Sequence, residues 1–110
     1  MDARADDVVP CSVEFTVKLI GGKWKMLILR ALLFHTRLRY NEILVRIEGI
    51  SAKELTRNLR DLEEGHLVVR TGKTEEQHVE YELTPIGSEL MPAFQMLAPV
   101  GEKLMALQKA

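Results

Sequence analysis

The sequence is poorest in the features that would make a function obvious. It has one cysteine, Cys11, among 110 residues. A single thiol excludes an internal disulfide framework and any four-thiolate zinc site. No apolar run approaches the roughly 20 residues that a bilayer-crossing helix needs. Met1 to Pro10 is mixed in charge and holds no apolar signal region, so a cytoplasmic protein is expected. No sign of charge dominates. Lys and Arg number 15 against 16 Asp and Glu, a formal net charge of −1. A balance so near neutral does not advertise nucleic acid as a partner. His35, His66 and His78 are scattered, without ligand spacing to one another or to Cys11, so no metal site is expected. There is no Ser-His-Asp set, no glycine-rich phosphate loop and no His-Glu-x-x-His. Neither an enzyme nor a cofactor is expected. Glu63-Glu64 and Glu75-Glu76 read as solvated pairs. No segment repeats and none is of low complexity.

What is present suits one globular domain with a single core. The chain is 46% hydrophobic and 28% charged, and its length allows one core and no more. Residues 1–10 are expected to form a flexible arm and 11–110 the domain. Charge is unevenly placed. Between Arg37 and Arg60 the cations are Arg37, Arg39, Arg46, Lys53, Arg57 and Arg60, against Glu42, Glu48 and Glu54. The middle is basic and the stretch after Arg60 is acidic. Exposed charges act over roughly 8–10 Å in salt, so a local excess counts at contact even when the total does not.

The pattern along the chain gives the element order. Ser12 to Ile20 predicts a short helix with Val13, Val17 and Ile20 on one face. Gly21-Gly22 breaks it. Lys23 to Leu33 predicts a second helix with Trp24, Leu27, Ile28, Ala31 and Leu32 inward. A minimal strand is expected at Arg39-Tyr40. Tyr40 or Asn41 to Ile47 predicts a third helix, burying Ile43, Leu44 and Ile47, and Glu48-Gly49-Ile50 a tight turn. Leu67 to Arg70 and Val79 to Leu83 read as the two strands of a hairpin whose tip runs from Thr71 to His78. Thr84-Pro85 reads as an N-cap with proline at the first helical position. Helix is expected onward to about Lys109, bent or broken near Pro92 and Pro99.

Ser51 to Gly65 is the most informative stretch. Ser51 with Glu54 three residues on has the form of a capping box. Ala52, Leu55, Leu59 and Leu62 lay one apolar stripe along the helix. Gly65 stands where a left-handed residue commonly ends a helix. The other face shows Lys53, Thr56, Arg57, Asn58 and Arg60, types that reach phosphates and base edges. A solvated amphipathic helix would explain the segment alone. Its flanks point further. A short glycine-containing turn between two helices is the helix-turn-helix signature, and the second helix is then the reader. The hairpin that follows is a wing. Ser51, Lys53, Thr56 and Arg57 are expected toward the groove, and Arg60 at a phosphate or in an ion pair with Asp61 or Glu64. Arg37, Arg39 and Lys73 are candidate backbone contacts. Lys25 is expected in solvent.

The last helix has more apolar residues than one face holds. Ile86, Leu90, Phe94, Leu97 and Leu104 form a stripe, with Met91, Met96, Val100, Met105 and Leu107 partly outside it. Two apolar sides want two partners. The simplest second partner is another copy, with Phe94, Leu97, Val100, Leu104 and Met105 at the seam. A homodimer would set two reading helices about 34 Å apart, the spacing of a palindromic operator. The expected fold is mainly α with a small β-hairpin, a winged helix-turn-helix dimerising through its terminal helices.

Five short motifs support that reading together. They are Cys11-Ser12-Val13-Glu14, Ile20-Gly21-Gly22-Lys23-Trp24-Lys25, Gly49-Ile50-Ser51-Ala52-Lys53, Leu59-Arg60-Asp61-Leu62-Glu63, and Val79-Glu80-Tyr81-Glu82-Leu83-Thr84 with Gly87. In this order the chain resembles the HxlR-type winged-helix transcriptional regulators, relatives of the MarR group, over about Pro10 to Gly101. The resemblance implies a bacterial homodimeric regulator that binds operator DNA, expected to act as a repressor by blocking polymerase. It departs in two places. Gln77 and His78 stand where the family usually has a proline and a basic residue, and Val100-Gly101 where it favours Trp-Gly. The resemblance also implies a redox switch at Cys11, which sits at a helix N-terminus. A capping role is the other reading. The effector is an electrophile, a small molecule between helices, or none. The acidic wing tip and the near-neutral charge give some weight to a competing class: a winged-helix module for protein contact, with weakened DNA binding.

Overall fold

Leucine and isoleucine at helical spacing bring two helices together, and the rest of the domain closes over them. The computed structural model describes residues 11–72 and 79–109. Six helices and three strands occur among the described residues. α1 spans Ser12–Ile20, α2 Lys23–His35, β1 Arg37–Arg39, α3 Tyr40–Arg46 and α4 Ala52–Glu64. β2 spans Val68–Thr71, β3 Glu80–Leu83, α5 Pro85–Ser88 and α6 Met91–Lys109. Ile28, Leu29 and Leu32 of α2 pack with Leu55, Leu59 and Leu62 of α4, all buried. Ile43, Ile47 and Ile50 seal one side and Leu38, Leu67, Val68 and Tyr81 the other. Burial of such side chains stabilises by about 1.5–3 kcal/mol each before the entropy cost of ordering them.

The wing is the edge of a three-stranded antiparallel sheet of order β1-β3-β2. Its short first strand is Arg37–Arg39, not Arg39-Tyr40. Tyr40 instead opens α3, because Glu42 Oε1 accepts the Arg39 N–H at 2.8 Å and starts a helix there. Leu38 stands opposite Tyr81, facing the core, while Arg37 stands opposite Glu82 and Arg39 opposite Glu80 on the other face. Burial pushes the Tyr81 phenol above its ordinary pKa. The arm, Met1 to Pro10, and the tip residues Lys73 to His78 lie outside the described residues.

Several expectations need correction. Of the face that Val13, Val17 and Ile20 share, only Ile20 reaches the core, with Leu19 beside it, and Val13 and Val17 are exposed. Leu27 is exposed and Leu29 takes its place in the interior. Gly65 is not left-handed, with φ −83°. The left-handed residue is His66 at φ 66°. Leu67 N–H then reaches the Leu62 carbonyl at 3.0 Å and His66 N–H the Glu63 carbonyl at 3.0 Å, the paired bonds of a Schellman motif one residue later than expected. The helix that starts at Pro85 is broken near Pro92, as expected. α5 ends at Ser88 and α6 begins at Met91, so the break precedes Pro92. Pro92 sits in the first turn of α6, where a missing N–H costs nothing. Pro99 lies inside α6 without ending it.

Candidate nucleic-acid interface

α4 is fixed by local and distant groups together. Ser51 Oγ accepts the Glu54 N–H at 3.1 Å, and Glu54 Oε1 accepts the Ser51 N–H at 3.0 Å. Gly49, at φ 90°, makes the turn that delivers Ser51 to this cap. The other Glu54 oxygen accepts Trp24 Nε1–H from α2 at 3.2 Å. These bonds hold the Glu54 carboxyl below its ordinary pKa, the Ser51 backbone bond contributing most. Lys25 Nζ lies 3.2 Å from Asp61 Oδ2 near the helix end. Lys25 is therefore a clamp between α2 and α4, not a solvated lysine; its side chain is 19% exposed. From α3, Tyr40 Oη bonds the Ala52 carbonyl at 2.8 Å and Thr56 Oγ1 at 2.8 Å.

The outward face of α4 carries Lys53, Thr56, Arg57 and Arg60, all exposed, around a shallow recess that Ala52 completes. Ser51 is exposed at its start. Among the described residues, Lys53, Arg57 and Arg60 enter no ion pair; Asp61 goes to Lys25 instead of Arg60. Asn58 does not belong to this face. It is buried, and its Nδ2 donates to the Glu54 carbonyl at 2.7 Å.

The flanking arginines are engaged. Arg37 lies 3.4 Å from Glu82 and 3.9 Å from Glu80, and Arg39 lies 3.9 Å from Glu80. Alternation along the strands put cations and carboxylates on the same face of the sheet, where opposite charges pair across strands. Lys73 lies outside the described residues. Cys11 is the exposed N-cap residue of α1, and its side chain makes no capping hydrogen bond. In α6, Leu97, Val100, Leu104 and Met105 are exposed, whereas Phe94 packs against the core. The residues sequence reasoning missed are Tyr40 and Trp24 as positioning groups. A polar atom on a half-buried aromatic, which wants a partner, was the available signal.

A glycine-containing turn between α3 and a basic α4, followed by a sheet edge, is a winged helix-turn-helix. Residues 19–109 match the HxlR-like helix-turn-helix family. The chain belongs to that family. An HTH-type transcriptional regulator of Methanothermobacter thermautotrophicus is 42% identical over 102 residues, covering 92% of this chain and 77% of its own. Among solved structures, the redox regulator HypR in its reduced form aligns with a TM-score of 0.80 at 32% identity, covering 90% of this chain and 98% of its own. A MarR-family transcriptional regulator from Enterococcus faecalis aligns with a TM-score of 0.75 at 30% identity, covering 99% and 94%. This HxlR-like chain is a transcriptional regulator with a helix-turn-helix domain, a class distinct from enzymes. Among the described residues no helix is long and apolar enough to cross a membrane.

Proposed function

We propose that the protein is a homodimeric repressor that reads a palindromic operator with α4. The observation that carries this reading is the contrast in charge use. Lys25, Arg37, Arg39 and Arg70 all face carboxylates, while Lys53, Arg57 and Arg60 cluster without one among the described residues. Ion-paired cations must give up a partner to bind phosphate. Unpaired ones release only counterions. Lys53, Thr56 and Arg57 address the groove, Ser51 and Arg60 the adjoining phosphates. Arg37 and Arg39 contribute less, in competition with Glu80 and Glu82. Lys73 extends the contact from the wing tip. The dimer forms through α6 with α1, whose apolar residues Val13, Phe15, Leu97, Val100, Leu104 and Met105 are exposed. One domain from residue 11 onward carries both tasks.

A mobility shift with the protein's own upstream DNA tests this. Binding should weaken steeply as salt rises, and Arg57→Ala should lower affinity about tenfold or more. No binding at low salt would refute it and favour the protein-contact module, a reading that the carboxylates of β3 support by neutralising Arg37 and Arg39. We also infer that Cys11 tunes the response. It is exposed and free to be alkylated, capped by a small thiol or bridged to another subunit, and HypR is itself named a redox regulator. Diamide or a quinone should change operator affinity in wild type and leave Cys11→Ser unmoved. Equal responses remove Cys11 from the mechanism.

A further inference from the structure

Tyr40 and Thr56 meet at the margin of the α4 recess. Tyr40 Oη is 2.8 Å from the Ala52 carbonyl oxygen and 2.8 Å from Thr56 Oγ1. Proton count lets both be full hydrogen bonds in one way only. A phenol has one hydrogen, and a carbonyl oxygen only accepts. The Tyr40 hydrogen therefore goes to Ala52. The second bond exists only if Thr56 donates its own hydrogen to Tyr40 Oη. A threonine hydroxyl has one hydrogen and two lone pairs. With that hydrogen committed, the hydroxyl of Thr56, a residue that lines the recess, is an acceptor alone. Ser51 is the opposite case. Its Oγ accepts the Glu54 N–H at 3.1 Å, and its hydrogen stays available to a phosphate.

We propose that Thr56, with its proton held by Tyr40, is a specificity-determining acceptor that selects adenine or cytosine at one operator position. The inference rests on the DNA-reading role proposed for α4. Phosphate oxygens are acceptors and cannot bond another acceptor. In the major groove the donors are the N6 amino group of adenine and the N4 amino group of cytosine, while guanine and thymine present only acceptors there. Lys53, Arg57 and Arg60 beside it can only donate. The recess thus holds one acceptor among donors. Tyr40 makes that division, because a free threonine hydroxyl would satisfy either kind of base. Tyr40 is a positioning residue; its side chain acts through Thr56.

The test uses the full chain as wild type, Tyr40→Phe, Thr56→Val and Thr56→Ser, each selected on duplexes with a randomised core and sequenced after binding. Wild type should enrich adenine or cytosine at one position in each half-site. Thr56→Val should lose about fivefold of that enrichment, the worth of one hydrogen bond, and Thr56→Ser should keep it. Tyr40→Phe frees the Thr56 hydrogen, so the same position should admit guanine or thymine with an unchanged salt dependence. Profiles of Tyr40→Phe and Thr56→Val that match wild type at every position overturn the inference and leave DNA reading intact. If Tyr40→Phe does not fold, equal profiles for Thr56→Val and Thr56→Ser overturn it alone. A wild type that enriches no sequence overturns both.

Discussion

Glu54 has a partner on each carboxylate oxygen, the Ser51 N–H on one and the Trp24 indole on the other. Both bonds favour the charged form, so the folded pKa lies below the ordinary value. A carboxylate depressed in this way adds stability above its unfolded pKa and loses it as pH falls toward its folded one. For a glutamate that window opens below about 4.3. Glu54→Gln removes the titration. Its melting temperature is therefore expected to fall less steeply than that of wild type as pH drops from about 5 to about 3. Parallel curves would show that Glu54 does not couple folding to protons. Asn58 is the counterpart in the interior. Its amide looked like an outward donor because it falls between Arg57 and Leu59, but a helix has no sharp boundary between faces. Its Nδ2 bond to the Glu54 carbonyl lets it lie buried.

At the scale of elements, the tightest junction is between α5 and the segment leading into β2. A Cβ on Gly87 would collide with the Leu67 carbonyl oxygen. That same carbonyl accepts the Thr84 N–H at 3.0 Å, and Thr84 Oγ1 donates to the His66 carbonyl at 2.7 Å. Backbone cannot yield here without losing those bonds. Gly87→Ala is expected to cost about 1–3 kcal/mol, the usual range for overpacking, read as a lower urea midpoint. An unchanged midpoint would mean that α5 shifts freely. The helices themselves were legible in the sequence because their signals are local. The Ser51 cap, the leucine stripe of α4 and Thr84-Pro85 each sit within a few residues of what they determine. The ion pairs were not legible. Arg37 and Glu82 are 45 positions apart, and nothing near Arg37 announces a carboxylate. The same holds for Lys25, whose role depends on α2 crossing α4.

For the whole molecule, the unfinished surface is at its ends. Leu97, Val100, Leu104, Met105 and Leu107 on α6, with Val13, Phe15 and Val17 on α1, are all more than half exposed. Scattered exposed leucines are ordinary, but a helix of 19 residues with none buried has little reason to stay folded alone. The protein is expected to have the mass of a dimer at micromolar concentration, and Leu104→Glu that of a monomer. A monomeric wild type would sink the seam. Sequence patterning indicated the excess of apolar residues on α6, of which Phe94 packs partly against the core while Leu97 and Leu104 stay exposed.

The two clamps on α4 set one further property. Glu54 and Asp61 are seven residues apart, about 10 Å along the axis and nearly on one side, and Trp24 and Lys25 that hold them are neighbours in the first turn of α2. A helix gripped at two such points cannot roll about its own axis or fray alone. Amide hydrogens of α4 should therefore exchange with those of α2 as one cooperative block, at one opening free energy, and Lys25→Ala should split that block in two. In the DNA-reading role proposed for α4, a signal would carry that helix as cargo rather than twist it in place.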